Sequence, residues 1–97
     1  MTKRFSLFFL LMLFMVNHIC AQIQGVVTDA DTGEPLPFLS VFYEGKGVGA
    51  ITDIDGRYTV PKYVEWGALT FSSVGYQTKV VPISVNTKVL DVKLKSL

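Results

Sequence analysis

The chain has 97 residues, nine of them Lys or Arg and eight Asp or Glu, for a net charge of +1. Its one Cys and one His, Cys20 and His18, cannot supply a disulfide framework or the ligand set of a conventional zinc site. A chain of this length makes one domain with a small core.

The first fifth reads as an address. Lys3 and Arg4 form a positive head, Phe5 to Val16 is a twelve-residue stretch apolar but for Ser6, and Asn17-His18-Ile19-Cys20-Ala21 follows. That is the order of a secretory signal peptide, and the apolar run falls short of the roughly 20 residues that span a bilayer. Cleavage after Ala21 is expected, making residues 1–21 the signal and 22–97 the folded domain. Lipidation of Cys20 is disfavoured, because Ile19 stands where a small residue is needed and Asn17 where Leu is. The exported chain then carries seven basic residues against eight acidic ones, with neither Cys nor His. A thiol nucleophile and a Ser-His-Asp triad are excluded, and no metal or cofactor is expected.

From Gln22 onward almost nothing reads as helix, because apolar residues alternate or cluster between Gly, Pro, Asn and Asp. Ile23 to Asp29 is a first strand rich in β-branched residues, and Asp29 to Pro35 is a turn containing Gly33. A second strand is expected over Phe38 to Glu44, entered through Leu36-Pro37. Gly45-Lys46-Gly47 then turns into a third over Val48 to Thr52. Thr52-Asp53-Ile54-Asp55-Gly56-Arg57-Tyr58 is a tight polar turn leading to a strand over Tyr58 to Val60. Asp53 and Asp55 can bond local amides, and Gly56 accepts a positive φ.

Pro61 to Gly67 is a connection holding Trp66, the single tryptophan. Ala68 to Val74 is a further strand and Gly75-Tyr76 a bend. Gln77 to Ile83 is a strand in which Pro82 marks an end or a sheet edge. In the last strand Leu90, Val92 and Leu94 alternate with Asp91, Lys93 and Lys95. Seven short strands with regular turn signals make an all-β sandwich. Val27, Leu39, Val41, Leu69, Phe71, Leu90, Val92 and Leu94 are expected to point inward, with Tyr43, Tyr58 and Tyr76 at the margins.

Candidate sites are few. Asp29-x-Asp31 and Asp53-x-Asp55-Gly56 have the look of calcium loops. Counted from Asp53, however, Tyr58 fills the sixth position and Val64 the twelfth, where an EF-hand needs Gly and Glu. Nothing in the spacing brings Glu34 and Glu44 together as a carboxylate pair. Tyr63 and Trp66 could form a sugar-stacking platform in an exposed loop, or Trp66 could cover one end of the core. Lys79, Lys88, Lys93 and Lys95 are interleaved with apolar residues, as on the solvated face of two strands, so nucleic-acid binding is not expected.

Four segments carry a resemblance: Ile23-Gln24-Gly25-Val26-Val27-Thr28-Asp29, Thr32-Gly33-Glu34-Pro35-Leu36-Pro37-Phe38, Gly49 to Tyr58, and Phe71-Ser72-Ser73-Val74-Gly75-Tyr76. In this order and spacing the chain resembles the carboxypeptidase regulatory-like domain family over its whole exported length. The resemblance implies a seven-stranded, transthyretin-like Greek-key β-sandwich exported to the Gram-negative envelope, in the periplasm or associated with the outer membrane. Such domains commonly stand at the N-terminus of TonB-dependent outer-membrane receptors, and their name does not imply peptidase activity. Receptors continue into a TonB box, plug and barrel, whereas this sequence ends at Ser96-Leu97, so a stand-alone protein or a shortened reading frame is expected. The expected role is a non-catalytic accessory or interaction domain whose partners are envelope transport or secretion proteins. The alternative is a small carbohydrate- or peptide-binding module using the Tyr63–Trp66 loop.

Overall fold

The computed structural model describes residues 21–97, so the expected signal peptide, Cys20 included, lies outside the described residues except for its last residue, Ala21. Seven strands follow in order: β1 Gln22–Asp29, β2 Ser40–Tyr43, β3 Val48–Ile51, β4 Arg57–Pro61, β5 Ala68–Ser72, β6 Lys79–Pro82 and β7 Val92–Leu94. One 3-10 turn, Val64–Trp66, joins β4 to β5. The strands make two layers, β4-β1-β7 and β3-β2-β5-β6, which is the seven-stranded sandwich expected. Among the described residues no helix is long and apolar enough to cross a membrane.

Strand β1 belongs to two ladders. Gln22–Val26 runs antiparallel to β4, and Val27–Asp29 runs parallel to β7. Gly25 makes this possible, since a Cβ there would fall on the Leu90 carbonyl. The close approach lets Leu90 N–H donate to Gln24 O at 2.9 Å. The parallel pairing becomes regular only at Val92, because the Asp91 carboxylate accepts the Val26 amide at 2.9 Å. A side chain thus replaces a ladder carbonyl at that point. For the same reason Leu90, expected inward on the last strand, lies before β7 and is only half-buried.

Val27, Leu39, Val41, Leu69, Phe71, Val92 and Leu94 are buried as the alternation predicts. Ile23, Leu36, Val60 and Ile83 join them, and each such side chain contributes roughly 1.5–3 kcal/mol. Tyr43 and Tyr58 are not marginal: they are 1% and 3% exposed. Each lies two residues from an inward valine on its own strand, and its hydroxyl finds a backbone carbonyl, Pro61 O for Tyr43 and Leu90 O for Tyr58. A buried phenol with its hydroxyl paired carries little desolvation cost. Tyr76 is half-buried at the margin, as expected.

β2 starts at Ser40 and not at Phe38, because Phe38 adopts φ 57° and cannot continue a strand. Hydrogen bonds to Thr52 hold this conformation. Phe38 N–H donates to Thr52 O at 3.0 Å, and Thr52 N–H to Leu39 O at 2.9 Å. The buried Thr52 hydroxyl accepts Leu39 N–H at 2.9 Å and donates to Leu36 O at 2.6 Å. Two crossings between the layers are thereby fastened side by side. Thr52→Val keeps the volume but leaves a buried amide and a buried carbonyl unpaired. It is expected to destabilise by about 2 kcal/mol or more, read as a lower denaturant midpoint at unchanged m-value.

Candidate functional site

The turn after Thr52 is built on one carboxylate. Asp53 Oδ1 accepts the Asp55 and Arg57 amides, both at 2.9 Å. The backbone closes over it, with Gly56 N–H donating to Asp53 O and Asp53 N–H to Arg57 O, again both at 2.9 Å. Asp55, expected to share this work, is exposed and only supplies an amide. Gly56 takes φ 74°, and a Cβ there would lie 2.6 Å from Val27 O. Its carbonyl accepts Val27 N–H at 2.8 Å, so the turn is pressed against β1.

Gly33 stands in an equivalent device at φ 74°. Asp29 Oδ1 accepts the Asp31 and Thr32 amides at 2.8 and 3.1 Å. Its other oxygen accepts Tyr76 O–H at 2.8 Å. Gly75, at φ 86°, bends the chain so that Tyr76 can reach it. The Tyr76 hydrogen bond, followed by the two amides, holds the Asp29 carboxyl below its ordinary value of 3.8. The same bond, with burial second, pushes the Tyr76 phenol above its ordinary 10.0. The first aspartate of each calcium-like pattern, Asp29 and Asp53, is therefore committed to turn geometry. Among the described residues no three His, Cys, Asp or Glu side chains cluster as metal ligands would.

Tyr63 and Trp66 do meet, with ring centroids 4.2 Å apart. Tyr43 packs edge-on to both, at 5.9 Å from Tyr63 and 5.0 Å from Trp66. Its hydroxyl accepts Tyr63 N–H at 3.1 Å and so fixes the loop. Both loop rings are half-buried against the core, and the Lys46 ammonium lies 5.6 Å from the Trp66 ring centroid. The arrangement is a cover on one end of the sandwich. Sequence reasoning missed Tyr43 as its anchor, although the Val41–Tyr43 alternation marks it as inward.

A third feature is the seam where the free edges of β6 and β7 face each other. It is zipped at one end, where Gln77 N–H donates to Lys95 O at 2.8 Å and Leu97 N–H to Gly75 O at 2.9 Å. Beyond this zip the seam widens into a cavity of about 440 Å³ with Lys79, Lys93 and Lys95 in its walls. Pro82 ends β6 on that edge, as its missing amide predicts.

A family model described as the CarboxypepD_reg-like domain matches residues 23–97. The chain belongs to this family. It is 39% identical over 97 residues to TonB-dependent receptor P39 of Formosa agariphila, covering 94% of this chain and 9% of that protein. To TonB-dependent receptor P26 of the same organism it is 36% identical over 84 residues, covering 87% of this chain and 8% of the receptor. The chain thus spans less than a tenth of the length of these relatives. Among solved structures, a chain of a type II cohesin–X-dockerin complex from Acetivibrio cellulolyticus superposes with a TM-score of 0.57 at 18% identity, over 74% of this chain and 52% of that one. A DUF3823 family protein from Bacteroides ovatus gives a TM-score of 0.50 at 15% identity, over 80% of this chain and 45% of that one. Those two structures share the fold. The family match and the β-sandwich are those that the resemblance implied.

Gly56→Ala is expected to destabilise by more than about 1 kcal/mol, from strain at positive φ and the contact with Val27 O. Asp53→Ala is expected to cost about 1 kcal/mol for two lost amide bonds, and Asp55→Ala less than about 0.5 kcal/mol; denaturant midpoints rank the three.

The Asp29–Tyr76 pair gives a pH dependence of known sign. With the folded carboxyl below its unfolded value, the stability it adds is present above pH about 4 and lost as pH falls through the folded value. With the folded phenol above its unfolded value, that contribution is present below pH about 10 and lost as pH rises through the folded value. Tyr76→Phe should move the Asp29 carboxyl back toward its ordinary range, observed by NMR titration of its side-chain carbon. An unmoved Asp29 titration would mean that the turn amides alone hold the carboxylate.

Proposed function

We propose that this chain is a non-catalytic accessory domain of the Gram-negative envelope, exported by residues 1–21 and acting through association with envelope transport or secretion proteins. The observation that carries the reading is the match of nearly the whole domain to segments of TonB-dependent receptors. The polar residues of its best-defined turns support it. Asp29 is engaged by two turn amides and the Tyr76 hydroxyl, Asp53 Oδ1 by two turn amides, and the Thr52 hydroxyl by Leu36 and Leu39, so these side chains serve the fold. What the domain offers a partner is its sheet edges, where unpaired backbone groups support strand addition.

Export and inactivity are tested together. Expression in a Gram-negative host should deliver a chain beginning at Gln22 to the periplasmic or outer-membrane fraction, read by intact mass. That chain should release no C-terminal residues from peptides, with or without added zinc. Metal-dependent release that is abolished by mutating acidic residues of this chain would overturn the reading. A change of Trp66 fluorescence on adding glycans would instead favour a ligand-binding role for the Tyr63–Trp66 loop.

A further inference from the structure

The seam between β6 and β7 differs from the other sheet edges in charge and in geometry. Ile83 N–H donates to Gly67 O at 2.9 Å, in register with the β5–β6 ladder. Alternation then directs the amides of Lys79 and Val81 toward β5, and the Val80 N–H and C=O together with the Pro82 C=O outward. On the facing strand, Ala30 N–H donates to Leu94 O at 2.8 Å and Leu90 N–H to Gln24 O at 2.9 Å. The even residues of that segment therefore face β1, and the backbone of Lys93 faces the seam. Lys79 of β6 and Lys93 to Lys95 opposite it line a cavity of about 440 Å³, and the outward groups of Val80 and Pro82 continue the β6 edge beyond that lining. The Gln77–Lys95 zip closes one end of the cavity.

Charge separates this place from the opposite edge of the same sheet. The cavity walls hold Lys79, Lys93 and Lys95 and no Asp or Glu. Lys79 Nζ leans across to Lys93 O at 3.5 Å, which draws positive charge into the gap. Of the two acids that flank Ala30 in sequence, Asp29 has both oxygens engaged by Tyr76 and the turn amides, and Asp31 is exposed and does not line the cavity. β3, the other edge of the four-stranded layer, carries no charged residue between Val48 and Ile51.

We infer that the β6–β7 seam is a docking groove for an extended acidic segment of a partner protein, which adds as a strand along Val80 and Pro82 and sets its carboxylates against Lys79, Lys93 and Lys95. An extended peptide uses both features of the groove, the strand-spaced donors and acceptors and the positive wall. A phosphate headgroup uses only the second. Edge lysines also serve to keep sheets from pairing with one another, and the experiment separates that role from docking. The inference rests on the accessory-domain reading and names the chemistry of its partner.

The test is fluorescence anisotropy of a dye-labelled peptide of about ten residues alternating Glu and Val, titrated with the exported chain. The control peptide carries Lys in place of Glu. The acidic peptide should bind about 10-fold or more tightly than the control, and less tightly as salt rises. Lys79→Glu with Lys93→Glu, two exposed positions that leave the core untouched, should weaken binding by about 10-fold. Val80→Pro removes an outward amide without removing charge and should also weaken it; if that variant loses its strand signal in circular dichroism, the lysine variants decide. Equal binding of the two peptides, or binding unchanged by charge reversal, would overturn the groove. So would lysine variants that self-associate on size exclusion while neither form binds peptide, or anionic vesicles that bind the chain as well as the acidic peptide does and ignore Val80→Pro. A chain that is still captured by a receptor barrel with the lysines reversed removes this groove and leaves the accessory-domain reading standing.

Discussion

The Thr52 hydroxyl is the point at which the two layers are held in register. It accepts from Leu39 and donates to Leu36, while the Thr52 backbone pairs with Phe38 and Leu39. Leu36 in turn donates to Val27 O on β1, and the chain beyond Thr52 turns through Gly56 onto the same β1 residue. Two crossings between the layers therefore share one buried hydroxyl and one stretch of β1. Such a site tolerates little change, because removing one partner leaves others buried without water to replace it. The positive φ of Phe38 is the local cost, and the surrounding bonds over-determine it.

Once that side is fastened, the sandwich is closed along it and the opposite side is left to β6 and β7. There the chain pairs Gly75–Gln77 with Lys95–Leu97 and then lets the strands part. The Asp29–Tyr76 bond sits next to this pairing and ties the first turn to the bend before β6. Among the described residues no buried side-chain nitrogen or oxygen lacks a partner. Polar satisfaction inside and an unzipped seam outside are two sides of one design, in which free hydrogen-bonding capacity is confined to the edges.

Much of this was legible in the residues. Period-two alternation placed the seven strands and most of the core, because in a two-layer sandwich one face of each strand must be dry. Gly33, Gly56 and Gly75 were legible as turn residues, since positive φ has few other occupants. Thr52 was not: a threonine at a strand end looks like any solvated β-branched residue, and only the return of Leu36–Leu39 beside it makes its hydroxyl buried. Tyr43 and Tyr58 were misplaced for a related reason. Their burial depends on carbonyls 18 and 32 residues away, which no local pattern announces. Leu90 packs against the core as the alternation predicts but stays half-buried, because the ladder is irregular where the Asp91 carboxylate takes the Val26 amide. The aspartate pairs gave a pattern without revealing that only Asp29 and Asp53 cap amides.

The seam could be read only in part, and the missing part explains how charge works in a domain this small. Interleaved lysines on β7 look in sequence like a solvated face, and Lys93 and Lys95 are indeed exposed. What the sequence leaves out is that Lys79, on the edge of the other layer, comes to the same gap. Three like charges near one cavity raise its potential more than three scattered ones do, because the protein wall is a poor screen. The repulsion is tolerable while the ammonium groups stay in water at the rim. It becomes favourable when carboxylates enter between them. A groove of this kind costs the free domain little, and its contribution to binding is released only by a partner of opposite charge whose backbone also fits the open edge of β6.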